Sequence, residues 1–158
     1  MGRVLGFSRR FNRASAPASG YEGFGENATG GEGYSVVNVT NTDNSGTGSL
    51  REALSGSNRI IEFTTSGTIA FTTPIICSGV NITLSGETSS TGILVTGQGI
   101  YIEGNTGDYN AAKNIIFRGF RVTGAEDDGI RIWMNANDVV MDRVSTYNNG
   151  DGDIDLND

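Results

Sequence analysis

The sequence predicts an all-β fold, a parallel β-helix with three short strands in each coil, and three observations point there. The last third of the chain repeats itself. Sliding residues 114–133 by 24 positions lays Ile115, Ile116 and Phe117 over Val139, Val140 and Met141, and Phe120 over Val144, without a gap. Ile130 and Ile132 fall in the same register on Ile154 and Leu156. A period of this size marks one supersecondary unit that buries its apolar face only by stacking on its neighbours. The composition agrees: 24 glycines among many Asn, Thr and Ser favour strands and turns over helices. Third, the apolar pairs upstream come in groups of three separated by Gly-, Asn- and Asp-rich turns.

Taken in order, residues 1–20 are basic, with Arg3, Arg9, Arg10 and Arg13, but lack the apolar run of a secretory signal. They read as a disordered leader, with residues 21–158 forming the β-helix domain. Residues 21–33 form a glycine-rich loop without periodicity, and residues 35–40 alternate like a strand. Ser49-Leu50-Arg51-Glu52 is a capping box, in which the serine hydroxyl takes an early N–H and Glu52 reaches back to the cap. Leu50, Ala53 and Leu54 give this short N-terminal helix one apolar face, fit to cap the first coil, and Gly56 ends it.

The coils follow. Ile60, Ile61 and Phe63, then Ile69 and Phe71, then Ile75 and Ile76 make one. Ile82 and Leu84, Ile93 and Val95, and Ile100 and Ile102 make the second, and the two 24-residue units complete the third and fourth. Residues 104–113 are a loop inserted at one corner, either a tolerated surface insertion or part of a binding face. Ile82, Ile115, Ile130, Val139 and Ile154 are expected to point into the coil. Arg131 then lies on the outer face, so Ile130→Asp should be far costlier than Arg131→Asp.

Acidic residues outnumber basic ones 18 to 11, for a formal charge of −7 and no histidine. That balance argues against nonspecific binding to nucleic acid or to an anionic membrane surface. Nothing in the sequence approaches a membrane span. Cys77 is the lone cysteine, so no internal disulfide forms and a Cys–His metal site is excluded; its apolar neighbours make it a core residue. The clustered carboxylates fall in two aligned turns, residues 124–128 and 148–158. Stacked coils bring matching corners to about 4.8 Å, where carboxylates repel unless a cation intervenes. All-oxygen donors suit a hard ion such as Ca²⁺, although Asp, Gly and Asn also favour turns on their own account.

Several motifs in order carry a resemblance: Gly23-Phe24-Gly25 with Thr29-Gly30-Gly31, Val39-Thr40-Asn41, then Gly46-Thr47-Gly48-Ser49-Leu50-Arg51-Glu52-Ala53-Leu54. Arg59-Ile60-Ile61, Ser66-Gly67-Thr68-Ile69, Asn81-Ile82-Thr83, Asn114-Ile115-Ile116-Phe117-Arg118, Asp128-Gly129-Ile130 and Asp138-Val139-Val140-Met141-Asp142 follow. From about residue 21 onward the chain resembles the pectate lyases that fold as a right-handed parallel β-helix. The resemblance implies calcium-dependent eliminative cleavage of pectate, polygalacturonate or a related uronate polymer by a secreted protein. It implies Ca²⁺ ligands at Glu126, Asp128, Asp151 and Asp155, and leaves Asp127 and Asp153 as solvated carboxylates. An acidic polysaccharide is the implied partner, held by an acidic protein through the cation.

Two departures accompany it. The family usually has Asp-His after the strand ending at Met141, where this chain has Asp142-Arg143. The family's arginine base lies on later coils, and Arg118, Arg121, Arg131 and Arg143 do not match its motif, so no catalytic residue is assigned. The chain looks like the N-terminal part of a longer protein. As alternatives, it is a non-catalytic carbohydrate-binding, surface or tail-fibre β-helix, or an inactive fragment of a lyase. With no cap after Ile154-Asp155-Leu156, self-association through the last coil is expected.

Overall fold

The computed structural model describes residues 20–157, so all but the last residue of the leader expected over residues 1–20 lies outside the described residues. The strand β1 (Ser35–Val39) is followed by the helix α1 (Leu50–Leu54). Three strands then make each coil. The first has β2 (Arg59–Phe63), β3 (Gly67–Ala70) and β4 (Ile75–Cys77), and the second β5 (Val80–Ser85), β6 (Ile93–Gly97) and β7 (Ile100–Glu103). The third has β8 (Lys113–Arg118), β9 (Arg121–Ala125) and β10 (Ile130–Trp133), and the fourth β11 (Asn137–Asp142), β12 (Ser145–Tyr147) and β13 (Ile154–Leu156).

Each strand pairs in parallel with its counterpart one coil away. The result is three sheets running the length of the solenoid: A (β1-β2-β5-β8-β11), B (β3-β6-β9-β12) and C (β4-β7-β10-β13). The 24-residue repeat is the observed register: Val139 pairs with Ile115, Met141 with Phe117, Ser145 with Arg121 and Ile130 with Ile154. β1 adds a rung to sheet A that the triplet pattern did not count, pairing Val37 with Ile61 and Val39 with Phe63.

Alternation along each strand sends every second side chain inward, so inward residues stack in columns. Ile61, Leu84 and Phe117 stack in sheet A, Ile69, Val95 and Val122 in sheet B, and Ile75, Ile100 and Ile130 in sheet C, all essentially without exposure. Cys77 sits in this core, where burial pushes its thiol up to about 12. Its place as a core residue follows. Val139 and Met141 pack against the core from the fourth coil but are only partly buried, and Ile154 and Leu156 are 46% and 74% exposed. An inward side chain is covered only when a coil, or the helix α1 at the first end, lies on each side of it.

Helix α1 closes the opposite end. Its buried Leu50, Ala53 and Leu54 pack with the core, and the helix lies against β4 and β1. Ser49 Oγ accepts the Glu52 N–H as the capping box requires, but the return bond differs: Glu52 Oε2 takes the N–H of Gly48, one residue before the cap. The helix stops at Leu54 with Ser55 as its C-cap, two residues short of Gly56.

The glycine-rich segment before β1 is a strap across the outer face of sheet A. Gly30 and Gly31 press on Thr83 and Ile116, so closely that a Cβ on Gly31 would stand 2.1 Å from the Arg59 carbonyl oxygen. The Gly31 N–H donates to Thr83 Oγ1, and the N–H groups of Thr29 and Gly30 both donate to Asn114 Oδ1. Asn114 belongs to a stack of amides at the corner between sheets C and A. Asn81 Nδ2 donates to Asn58 Oδ1 at 2.7 Å, and Asn114 Nδ2 to Asn81 Oδ1 at 2.8 Å. All three, and Asp138 one coil on, have φ between 51° and 58°, the left-handed region in which Asn and Asp are the most tolerant side-chain-bearing residues.

Candidate metal centre

The corner between sheets B and C carries carboxylates where the other carries amides. In the second coil it is Gln98 and Gly99; in the third it is residues 126–129, and in the fourth residues 148–153. The two acidic turns are laced together by their backbones. Gly150 N–H reaches the carbonyls of Ala125 and Asp127, Asp151 N–H reaches Asp127, and Gly129 N–H reaches Gly152. Glycine is required at 150, where a Cβ would meet the Glu126 carbonyl oxygen at 2.1 Å.

This stacking brings carboxylate oxygens of Asp127, Asp128 and Asp151 within 4.8 Å of one another. Asp128 is 1% exposed and Asp151 is open to solvent. Gly152 makes room for the buried carboxylate: its N–H donates to Asp128 Oδ1 at 2.9 Å, and a Cβ there would stand 2.5 Å from the same oxygen. Of the four ligands the resemblance implies, Asp128 and Asp151 therefore meet. Glu126 points to solvent outside the trio, and Asp155 stands beside it on the outer face of β13. Asp127, read from the sequence as a spare carboxylate, is the third member. Asp153 is exposed and accepts from Asn149 Nδ2 at 2.8 Å.

Arg131 reaches into the cluster from β10, where its side chain is 20% exposed. Its Nε donates to Asp128 Oδ2 at 2.7 Å and its Nη2 to Asp127 Oδ2 at 2.7 Å, while Asp155 Oδ2 lies 3.8 Å from Nε. The guanidinium also lies over two rings, 4.8 Å from the centroid of Tyr101 and 5.8 Å from that of Trp133. Burial pulls its pKa down, but the Asp128 hydrogen bond and the charges of Asp128 and Asp127 outweigh that and leave it raised. Tyr101 donates its hydroxyl to Asp127 Oδ2 at 3.1 Å; burial and then this bond push its pKa up. Arg131 is thus no plain outer-face residue, and the expectation that Arg131→Asp is mild is corrected: it would set another carboxylate against three. Asp127 and Arg131 were missed because the repeat fixes which turns stack, not which side chain folds back. The available signal was the spacing of Arg131 from Asp127 and Asp128, four and three residues.

The donor set fits a hard cation. It is all oxygen, part buried and part open, and a single arginine faces Asp127, Asp128 and Asp155 while Asp151 completes the trio. The other arginines of the resemblance lie elsewhere. Arg118 and Arg143 both pair with Glu87, and Arg143 also with Asp142, at the corner between sheets A and B. The loop expected over residues 104–113 runs over 104–112, since Lys113 opens β8; it leaves at the far end of sheet C, tied down by Asn137 Nδ2 to the Tyr109 carbonyl at 2.7 Å.

Comparison with known proteins agrees with the fold and the resemblance. No family model matches the chain. It is 38% identical over 131 residues to a probable pectate lyase C of Emericella nidulans, covering 80% of this chain and 29% of that protein. It is 40% identical over 103 residues to the probable pectate lyase C of Aspergillus fumigatus, 65% of this chain and 23% of that one. The chain thus spans under a third of the length of these curated relatives. Among solved structures, the major allergen from cedar pollen, jun a 1, superposes with a TM-score of 0.58 at 14% identity, over 78% of this chain and 48% of that one. That likeness shows the fold.

Proposed function

We propose, from the kinship of this chain with the pectate lyases, that its coils carry the calcium-dependent uronate-binding corner of an eliminative polysaccharide lyase. The observation that supports it most is the meeting of Asp127, Asp128 and Asp151 across two stacked turns, in a chain 38% identical to a probable pectate lyase. Asp151, exposed, and the free oxygen of Asp127 are the residues best placed to take Ca²⁺, with Asp155 and Glu126, which flank the trio in sequence, proposed as further ligands. Bound there, Ca²⁺ would bridge protein and substrate carboxylates and acidify the proton α to the uronate carboxyl. The protein's own part is to fix the carboxylates rigidly: Asp128 by Gly152 and Arg131, Asp127 by Arg131 and Tyr101.

A non-catalytic uronate-binding β-helix is the second reading, and one observation favours it. None of the arginines weighed as a base matches the family's motif, and three of them, Arg118, Arg131 and Arg143, are held in ion pairs. Calorimetry with Ca²⁺ separates the acidic corner from an ordinary turn. Wild type should bind with a Kd on the order of 10⁻⁴–10⁻³ M, as open extracellular sites do, and Asp151→Ala should not. Equal heats from both, or none from wild type, would sink the calcium reading. Ultraviolet detection of unsaturated product from polygalacturonate in Ca²⁺ then tells lyase from binder.

A further inference from the structure

We infer that Arg131 is the resident counter-ion of the acidic corner, standing in for the divalent cation when none is bound and competing with it for Asp127 and Asp128. The inference deepens the calcium reading and rests on it. It starts from Asp128, a carboxylate that is 1% exposed and whose two oxygens take one backbone N–H and one guanidinium N–H. A buried carboxylate needs a positive partner, and removing the one it has strands an uncompensated charge. Arg131 meets that need and spans two more carboxylates: Asp127 at 2.7 Å and Asp155 at 3.8 Å.

A divalent ion among the same oxygens would draw on the same lone pairs. Asp127 Oδ2 already accepts from both Arg131 and Tyr101. Two cations sharing one carboxylate repel, so cation binding weakens the Arg131 contact and the Arg131 contact weakens cation binding. The guanidinium has somewhere to rest when loosened, because Tyr101 and Trp133 present ring faces beneath it. Such a device keeps the two turns stacked in the absence of metal and holds the cation affinity low.

Thermal melts and calorimetry of Arg131→Gln in chelator and in millimolar CaCl₂ test this. In chelator the variant should melt roughly 5–10 °C below wild type. Calcium should restore most of that loss and bind the variant at least tenfold more tightly, with Arg131→Lys between the two. A loss of melting temperature that calcium does not lift would make Arg131 a plain structural residue and overturn the inference. Equal calcium affinity in wild type and variant would overturn it too, leaving the calcium reading intact. Binding by the variant with none by wild type would support the inference while removing the native calcium site, and binding by neither overturns both. If the variant is unfolded in chelator, refolding on addition of CaCl₂ supports the inference. If it stays unfolded, the Nε–Hε signal of Arg131 in ¹⁵N-labelled wild type decides. A protected signal that shifts on CaCl₂ titration supports competition, and one unmoved at saturation refutes it.

Discussion

Two corners of this solenoid stack like residues on like, one coil above another, and they come to opposite ends. At the corner between sheets C and A, Asn58, Asn81 and Asn114 each offer a donor and an acceptor, so the stack satisfies itself. At the corner between sheets B and C, Asp127, Asp128 and Asp151 offer only acceptors and negative charge, so the stack needs a cation from outside the repeat. Arg131 supplies one positive charge and leaves the corner acidic. The backbone geometry permits both; side-chain chemistry decides which corner is mere structure and which can bind.

The largest effect should come from converting one corner into the other. Asn114→Asp removes the Nδ2 that donates to Asn81 Oδ1, Thr29 Oγ1 and the Gly30 carbonyl. It faces a carboxylate with oxygens and no arginine. Urea denaturation should show a loss of about 3 kcal/mol or more, and added Ca²⁺ should not repair it. Full repair by calcium would mean that any carboxylate stack in this fold makes a cation site, and the contrast between the corners would fail.

Breaking the amide stack without adding charge should cost less. Asn81→Ala loses the bonds to Asn58 and Asn114 and should destabilise by about 1–2 kcal/mol, equally in chelator and in calcium. At the other corner, Asp151→Asn should change stability in chelator by under about 1 kcal/mol, because Asp151 is exposed and its loss relieves repulsion. It should nevertheless abolish calcium binding in calorimetry. Stability and cation binding thus part company at the acidic corner and not at the amide one; an Asp151→Asn variant that binds calcium like wild type would end that distinction.

The contrast also explains how far the sequence could be read. Stacking register was legible because it follows from apolar spacing: the 24-residue repeat alone sets Ile115 over Val139 and Ile130 over Ile154. Asp128 and Asp151 were reachable once the turns were aligned. The glycine strap had no periodicity to reveal that Gly30 and Gly31 lie against Thr83 and Ile116, since close backbone approach leaves no pattern in one chain. β1 was legible as a strand but not as a rung, because the helix separates it from β2. Arg131 and Asp127 were hidden for another reason. Alternation places Arg131 outside the coil, but only the fold-back of its side chain over Tyr101 turns an outer residue into a partner of Asp128.

The smallest expected effect concerns Tyr101, which touches the acidic corner through a single hydrogen bond to Asp127. Burial, then that bond and the Asp127 charge, raise its pKa above the ordinary value, while Arg131 opposes them. The neutral phenol is therefore favoured in the folded state. A group whose folded pKa is raised contributes stability that is fully present below its unfolded pKa, near 10 for tyrosine. That stability is lost as pH rises through the folded value. Between pH 8 and pH 11 wild type should thus lose more stability than Tyr101→Phe, which has no phenol to ionise. At pH 8 the variant itself should be weaker by no more than about 1 kcal/mol, the worth of one hydrogen bond. Urea denaturation of both proteins at the two pH values measures the difference. Parallel losses would mean that Tyr101 ionises as freely folded as unfolded, and that the acidic corner does not extend its influence to the ring beneath Arg131.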